Sequence, residues 1–407
     1  MVLRIVAASY GAWLFLINLV FYLAHGNDLN SLQYAVMLGC IPAALQFMLV
    51  GFDQRGISTP LKFSLALLVI VLLSYLANPG YIVDWLPVIQ TVNVIFLLSV
   101  AMLAAGCPER RLVLEIAAAY AVFTSIFLIP INLNGLYIWG RLSAGMEPNY
   151  WGLIGVSVSV AALGFRNPLF AGPCFLIGCW TMYDASSRSS MVGLAAAIIV
   201  LLCRGALELR GWRLYAALSA VAGILIALIL TWHSANTGAT NIVAGDVLKL
   251  NDPYRGLDSG FTGRTEVWSD ALKLWINHPL FGVGFRMHEQ ILDFPAHNAY
   301  LAMAADTGIF GLLLYCALLV RSFAAGWRLQ DPIARRLIIA TVVSYAEVGL
   351  FERRAINVGN PMGIIFVMAC FLAFTFAARR LPRRQEELAK DHGFPPDPVA
   401  PQPSISR

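Results

Sequence analysis

Arg141, Arg188, Arg264 and His297 are the residues whose type and setting could do chemistry. Arg141 lies in Gly140-Arg141-Leu142-Ser143, ahead of Glu147-Pro148-Asn149; Arg188 lies in Ser186-Ser187-Arg188-Ser189-Ser190; Arg264 lies in Thr262-Gly263-Arg264-Thr265-Glu266. Arg188 and Arg264 stand at expected helix starts, and Arg141 stands just ahead of one. Free N–H groups and the helix dipole favour an anion there. A guanidinium makes forked, permanently charged contacts with phosphate oxygens, so two or three converging arginines would cradle a diphosphate. Taken singly, each arginine also has a local acid to pair with: Glu147, Asp184 or Glu266. His297 sits in Phe294-Pro295-Ala296-His297-Asn298-Ala299-Tyr300-Leu301. An imidazole titrates near neutrality and can accept a proton from a hydroxyl, although a histidine at a helix start is often only a cap or a hydrogen-bonded surface group.

The elements that must position these side chains are membrane helices. Of the 407 residues, 59% are hydrophobic and 13% charged, with a mean hydropathy of +0.71. A soluble domain is nearer a quarter charged. So apolar a chain must turn most of its surface to lipid, which excludes a soluble enzyme, a nucleic-acid binder and a disordered scaffold. Apolar runs of about 20 residues recur about twelve times, at roughly 2–24, 31–52, 60–77, 84–105, 112–131, 149–164, 168–183, 189–203, 213–232, 299–320, 333–351 and 361–378. The sequence therefore predicts an all-α polytopic domain over about 1–380, with a disordered cytoplasmic tail over about 381–407 that is rich in Pro and Arg. The first run is read as a retained span, since no small-residue cleavage site follows it. The seven cysteines form no zinc-like or disulfide framework.

Basic residues near span ends set orientation. With both termini in the cytoplasm, most of the 28 Lys and Arg residues fall inside; Arg141, Arg188, Arg264, Arg286, Arg353 and Arg354 are among those left outside. One external loop, about 233–296, is far longer than the rest. It carries an expected amphipathic helix over about 265–277, with Val267, Trp268, Ala271, Leu272 and Trp275 on one stripe and Thr262 or Thr265 as its cap. Such a loop reads as a lid over a site at the outer membrane surface; an ordinary interfacial helix is the alternative.

His297 and Asn298, followed by Gly308 and Gly311, resemble without a gap the signature of the O-antigen ligase and polymerase superfamily. Gly263-Arg264-Thr265-Glu266-Val267-Trp268 and His278-Pro279-Leu280-Phe281-Gly282-Val283-Gly284 resemble its loop block, Ser187-Arg188-Ser189 its arginine at a span start, and Arg141-Leu142-Ser143 with Pro148, Asn149 and Gly152 its upstream motif. The resemblance is densest from about 140 to 311. It implies a GT-C-like helical fold in the bacterial inner (cytoplasmic) membrane, with the active site on the periplasmic face. It implies a glycosyltransferase that moves a glycan from a polyprenyl (undecaprenyl) diphosphate carrier to an acceptor hydroxyl, without metal or other cofactor. Carried over residue by residue, Arg188 and Arg264 are diphosphate ligands, Arg141 a weaker one, and His297 the catalytic histidine.

The chemistry agrees with that implication. Displacement at an anomeric carbon releases a lipid diphosphate with growing negative charge, which fixed arginines meet without reorganisation. No Asp-x-Asp cluster lies on the outer loops. His297 would deprotonate the acceptor hydroxyl, and attack opposite the leaving group would invert the sugar. Asn298, Tyr300, Arg286 and Glu266 are candidates for supporting or acceptor contacts, and His288 joins Arg286 in that role. Gly308 and Gly311 read as close-packing positions on the helix after His297. Asp306 falls on the opposite face of that helix. A ligase joining a finished glycan to a glycan or lipid-core acceptor, a repeat-unit polymerase, a protein O-oligosaccharyltransferase and a flippase are the readings to separate.

Overall fold

The computed structural model describes residues 1–24, 35–54, 57–81, 86–109, 111–138, 140–144, 146–208, 264–352 and 361–378. Its elements run α1 (Val2–Leu23), α2 (Cys40–Leu49), α3 (Ser58–Ala77), α4 (Leu86–Ala105), α5 (Leu112–Asn134), β1 (Tyr137–Ile138), β2 (Arg141–Leu142), α6 (Pro148–Ala162), α7 (Pro168–Asp184), α8 (Arg188–Glu208), α9 (Arg264–Asn277), α10 (His288–Leu292), α11 (Ala299–Trp327), α12 (Pro332–Val348) and α13 (Pro361–Ala378). Helices therefore occupy eleven of the twelve expected spans; the ninth, about 213–232, lies outside the described residues, as do the first part of the long loop and the C-terminal tail. Among the described residues, six helices are long and apolar enough to cross a membrane. α6 has 15 residues, α7 and α12 have 17 each and α2 has 10. The strands β1 and β2 pair antiparallel, with Tyr137 opposite Leu142 and Ile138 opposite Arg141, a two-residue hairpin that the all-helical expectation lacked.

Helix starts follow local chemistry. Pro148, Pro168 and Pro332 open α6, α7 and α12 in the first turn, where a missing N–H costs nothing. The Asn167, Asn298 and Asp331 side chains accept N–H groups of the turn that follows each of them.

Packing depends on small residues and on polar groups used between helices, because lipid supplies no hydrophobic drive for association. The Asn18 amide donates to the Tyr120 hydroxyl (3.1 Å), which lies 2.7 Å from Ser157 Oγ, joining α1, α5 and α6. Tyr10 donates to Gln46 Oε1 (2.9 Å) and Gln46 Nε2 to the Leu103 carbonyl (2.7 Å), joining α1, α2 and α4. The central post is α13, buried over almost its whole length; Phe366 stacks on Tyr345 of α12 at 4.0 Å and Phe371 meets Phe63 of α3 edge-on at 6.2 Å. Outward faces are apolar: Leu76 is 75% exposed and Leu176 and Val320 are 66% exposed, a surface suited to lipid and not to water.

The bundle has two distinguishable ends. At one, the Arg204 guanidinium lies 5.2 Å from the Trp327 ring and Arg335 Nη1 donates to the Leu329 carbonyl. The other gathers the ends of α3, α5, α7 and α12, the starts of α6, α8 and α11, the hairpin and α9.

Candidate functional site

At that second end, each candidate is fixed by a different element. Arg188 opens α8. The position of this turn is set by Gly152 of α6, where an added Cβ would lie 2.1 Å from Ser187 Cβ. The hydroxyls of Ser187 and Ser190 are buried and hydrogen-bonded to each other (3.0 Å). Arg141, on β2, donates from Nε to the carbonyl of Ala185 (2.9 Å) and from Nη2 to Asn149 Oδ1 (2.8 Å). It is thereby fastened to the loop that leads directly into Arg188. Asp184, considered as the partner of Arg188, accepts a hydrogen bond from the Tyr137 hydroxyl (2.9 Å).

Arg264 opens α9 as expected, so Thr265 belongs to the first helical turn and is not its cap; Thr262 lies outside the described residues. Ala271 of the expected stripe is fully buried, and Trp268 lies 6.5 Å from the Phe351 ring. The Arg264 guanidinium pairs with Glu352 (3.4 Å), whose side chain is 5% exposed, whereas Glu266 is exposed. Glu352 belongs to the turn after α12. The same turn holds the start of α11: the Ala299 N–H donates to the Gly349 carbonyl (2.7 Å) and the Asn298 amide to the Leu350 carbonyl (3.1 Å). Arg264 and the residues that directly follow His297, Asn298 and Ala299, are therefore anchored to one short stretch, 349–352. That stretch reaches α8 through α12, because Ser344 Oγ donates to the Gly193 carbonyl (3.1 Å) and a Cβ on Gly193 would lie 2.8 Å from Glu347 Oε2. Glu347 Oε2 is buried with no hydrogen-bond partner among the described residues.

His297 has φ 46°, a left-handed conformation that costs a non-glycine residue about 1–2 kcal/mol and recurs at functional sites. Its chain neighbours explain how it persists. Asn298 is the cap of α11, accepting from Tyr300 N (2.9 Å) and Leu301 N (3.0 Å). Tyr300 donates to the Ala346 carbonyl (2.8 Å) and meets Tyr315 edge-on, so its hydroxyl is spent on helix packing. Arg286 pairs with Glu289 (3.3 Å). His288, grouped with Arg286 as a candidate acceptor contact, is instead buried against Asp306 (2.7 Å between Nδ1 and Oδ1).

The segment before His297 rests on a break in α11. Gly308 has φ 67° and ψ −164°, non-helical values within α11, in a region that is essentially glycine-only. Backbone donors from Val283 to Ala305 (2.9 Å), Gly284 to Asp306 (2.9 Å) and Ile309 to Pro279 (2.8 Å) lay the 278–284 segment along this break. The Tyr75 hydroxyl donates to the Phe285 carbonyl (2.8 Å) and Asn78 to the Gly282 carbonyl, tying the segment to α3 as well. The expectation that Gly308 serves close approach between helices is thus corrected: it breaks its own helix and admits a loop. Sequence reasoning missed Glu352 and the His288–Asp306 pair. Neither has a spacing signal, because each partner lies on a separate element.

Residues 173–316 match the O-Antigen ligase family model, a stretch that includes Arg188, Arg264 and His297. The chain is 24% identical over 307 residues to the exopolysaccharide production protein ExoQ of Rhizobium meliloti, covering 68% of each chain. It is 28% identical over 218 residues to an O-antigen ligase of Pseudomonas aeruginosa, covering 50% of this chain and 47% of that one. The second alignment spans about half of that relative's length. With six helices among the described residues long and apolar enough to cross a bilayer and these similarities, the chain is a multi-pass membrane protein that resembles the O-antigen ligase family over residues 173–316.

Proposed function

We propose that this protein is an inner-membrane glycosyltransferase that moves a glycan from a polyprenyl diphosphate carrier, undecaprenyl diphosphate being the expected lipid, to an acceptor hydroxyl on the periplasmic face. The reading is carried by one observation: Arg264 and Asn298, the residue after His297, are anchored to the same 349–352 turn, at the bundle end where α8 begins with Arg188. In this account the acceptor oxygen attacks the anomeric carbon and the bond from that carbon to the phosphate oxygen breaks. The leaving diphosphate keeps the electron pair and is met by Arg188 and Arg264, with Arg141 behind them. His297 takes the hydroxyl proton. Attack from the side opposite the leaving group inverts the sugar, and guanidinium charge serves in place of a metal ion. Expected accompaniments are about twelve spans in a GT-C-like arrangement, both termini in the cytoplasm, and a disordered tail after about residue 380. The Arg204 and Arg335 contacts at the opposite end of the bundle agree with that orientation.

Two acceptors remain distinct. Ligation to a lipid-core or other glycan acceptor follows from the O-antigen ligase match. Extension of an exopolysaccharide by repeat units is favoured by the alignment to ExoQ, which covers more of both chains. The test supplies purified protein in nanodiscs with an undecaprenyl-diphosphate-linked repeat unit, alone or with lipid-core oligosaccharide. Transfer to the core supports ligation, and lengthening of the lipid-linked chain supports polymerisation. No transfer to either acceptor, with donor bound, contradicts the proposal.

A further inference from the structure

The buried His288–Asp306 pair is used by none of the steps above, yet it leads straight to His297. One carboxylate oxygen, Asp306 Oδ1, lies 2.7 Å from the His288 ring Nδ1 and 3.1 Å from the His288 backbone N–H that it accepts. On the far side of the ring, Nε2 accepts the backbone N–H of Ala296 (3.5 Å), the residue next to His297. His288 and Ala296 are 1% and 0% exposed, so water does not supply a substitute bond. An N–H can donate to Nε2 only when that nitrogen carries a lone pair. The arrangement therefore belongs to one tautomer, with the ring proton on Nδ1 shared with Asp306.

We propose that Asp306 and His288 are positioning residues for His297: the carboxylate fixes the His288 tautomer, and His288 Nε2 holds the Ala296 peptide so that His297 keeps its left-handed backbone and presents its imidazole to the acceptor. The geometry suits that task. His288 opens α10, Asp306 lies in α11 beside the break at Gly308, and the segment between α10 and α11 is short. The pair thus clamps both ends of the turn that carries His297. The proposal rests on the reading of His297 as the proton acceptor.

Protonating His288 removes the lone pair and releases Ala296. The charged groups that act on the ring are Asp306 on α11 and Glu289 and Arg286 on its own segment; Tyr75 of α3, whose hydroxyl holds the Phe285 carbonyl, faces Asp306 and Arg286. Burial alone would lower the His288 pKa, but the Asp306 charge and hydrogen bond outweigh it and the net shift is upward. Loss of activity on acidification should therefore begin above the ordinary histidine range, about 6.5.

The experiment measures turnover as undecaprenyl diphosphate released from the lipid-linked repeat unit in nanodiscs, with the same repeat unit and lipid-core oligosaccharide as acceptors, for wild type, His288→Ala, His288→Gln and His297→Ala. Misplacement of a reacting group by about 1 Å costs about 10²-fold, so His288→Ala should lose about that much kcat with little change in donor KM. Gln can donate to Asp306 and accept from Ala296, so His288→Gln should recover most of the loss. On the acid side, log kcat of wild type should fall with a slope of about 2, one proton for each imidazole, and that of His288→Gln with a slope of about 1. Wild-type kcat in His288→Ala, or a slope of about 2 retained in His288→Gln, with His297→Ala inactive, overturns the positioning role and leaves the assignment of His297 standing. Turnover by His297→Ala overturns that assignment and the positioning role with it. Should His288→Ala fail to fold, the slope for His288→Gln still decides.

Discussion

Arg264 and Glu352 are 88 positions apart in the chain and 3.4 Å apart at Nη2 and Oε1. The two ends of the pair are unequal: the Glu352 side chain is 5% exposed and that of Arg264 is 21% exposed. Taking the arginine away removes a charge partner from a buried carboxylate, whereas taking the carboxylate away leaves a guanidinium that still reaches water. Arg264→Ala should therefore destabilise the protein more than Glu352→Ala. The expected losses are about 2–4 and about 1–2 kcal/mol, after discounting the buried-pair figures for solvent at Arg264. Thermal unfolding in one detergent checks the order. Equal losses would mean that the pair does not fix α9.

Gly308→Ala should cost both stability and turnover. Its backbone conformation is one that side chains rarely adopt, and an added Cβ would lie 2.1 Å from the Leu280 carbonyl oxygen. Strain of about 1–3 kcal/mol is expected, together with displacement of the 278–284 segment from Ala305, Asp306 and Ile309. The measurement is kcat beside melting temperature; kcat should drop by more than the folded fraction explains. Gly311→Ala makes a useful contrast, because the nearest atoms to the Cβ there are side-chain atoms of its own helix, from Thr307 and Met303, and not backbone of the 278–284 segment.

Gly152→Leu should act on the donor. Its side chain would collide with Ser187, immediately before Arg188. Overpacking costs about 1–3 kcal/mol, and moving the start of α8 should raise the donor KM more than it lowers kcat. A fall confined to kcat, with donor KM unchanged, would show that α8 does not hold the donor.

Stability and activity should diverge with pH. The pKa of His288 is raised in the folded protein, so its charged pair with Asp306 stabilises fully below the unfolded value, about 6.5, and that contribution is lost as pH rises through the folded value. Melting temperatures of wild type minus His288→Gln should be largest at about pH 6 and decline toward alkaline pH, while turnover moves the opposite way. A difference that grows with pH would reverse the sign and contradict the assignment of Asp306 as the cause.

Much of this was legible in the sequence, and the reasons differ from element to element. Hydropathy located the helices because apolar runs of bilayer length have few other uses. The stripe from Val267 to Trp275 located α9 because helical period shows in adjacent residues. The hairpin at Tyr137–Leu142 was not legible, since two-residue strands carry no period. Gly308 was visible as a glycine but not as a break, because its conformation depends on Leu280 and Pro279. Glu352 and Asp306 look like ordinary acids in the chain; their partners become visible only once α9 and α10 are docked. His288 shows the same limit, since its burial, which removes it from acceptor contact, is a property of the tertiary packing.

The most direct test of the central claim is transfer by His297→Ala, measured in nanodiscs at saturating lipid-linked repeat unit with donor binding quantified in the same preparation. The account predicts that the variant binds the donor as wild type does, through Arg188 and Arg264, and transfers no glycan to any acceptor. Transfer at a rate near that of wild type would contradict it.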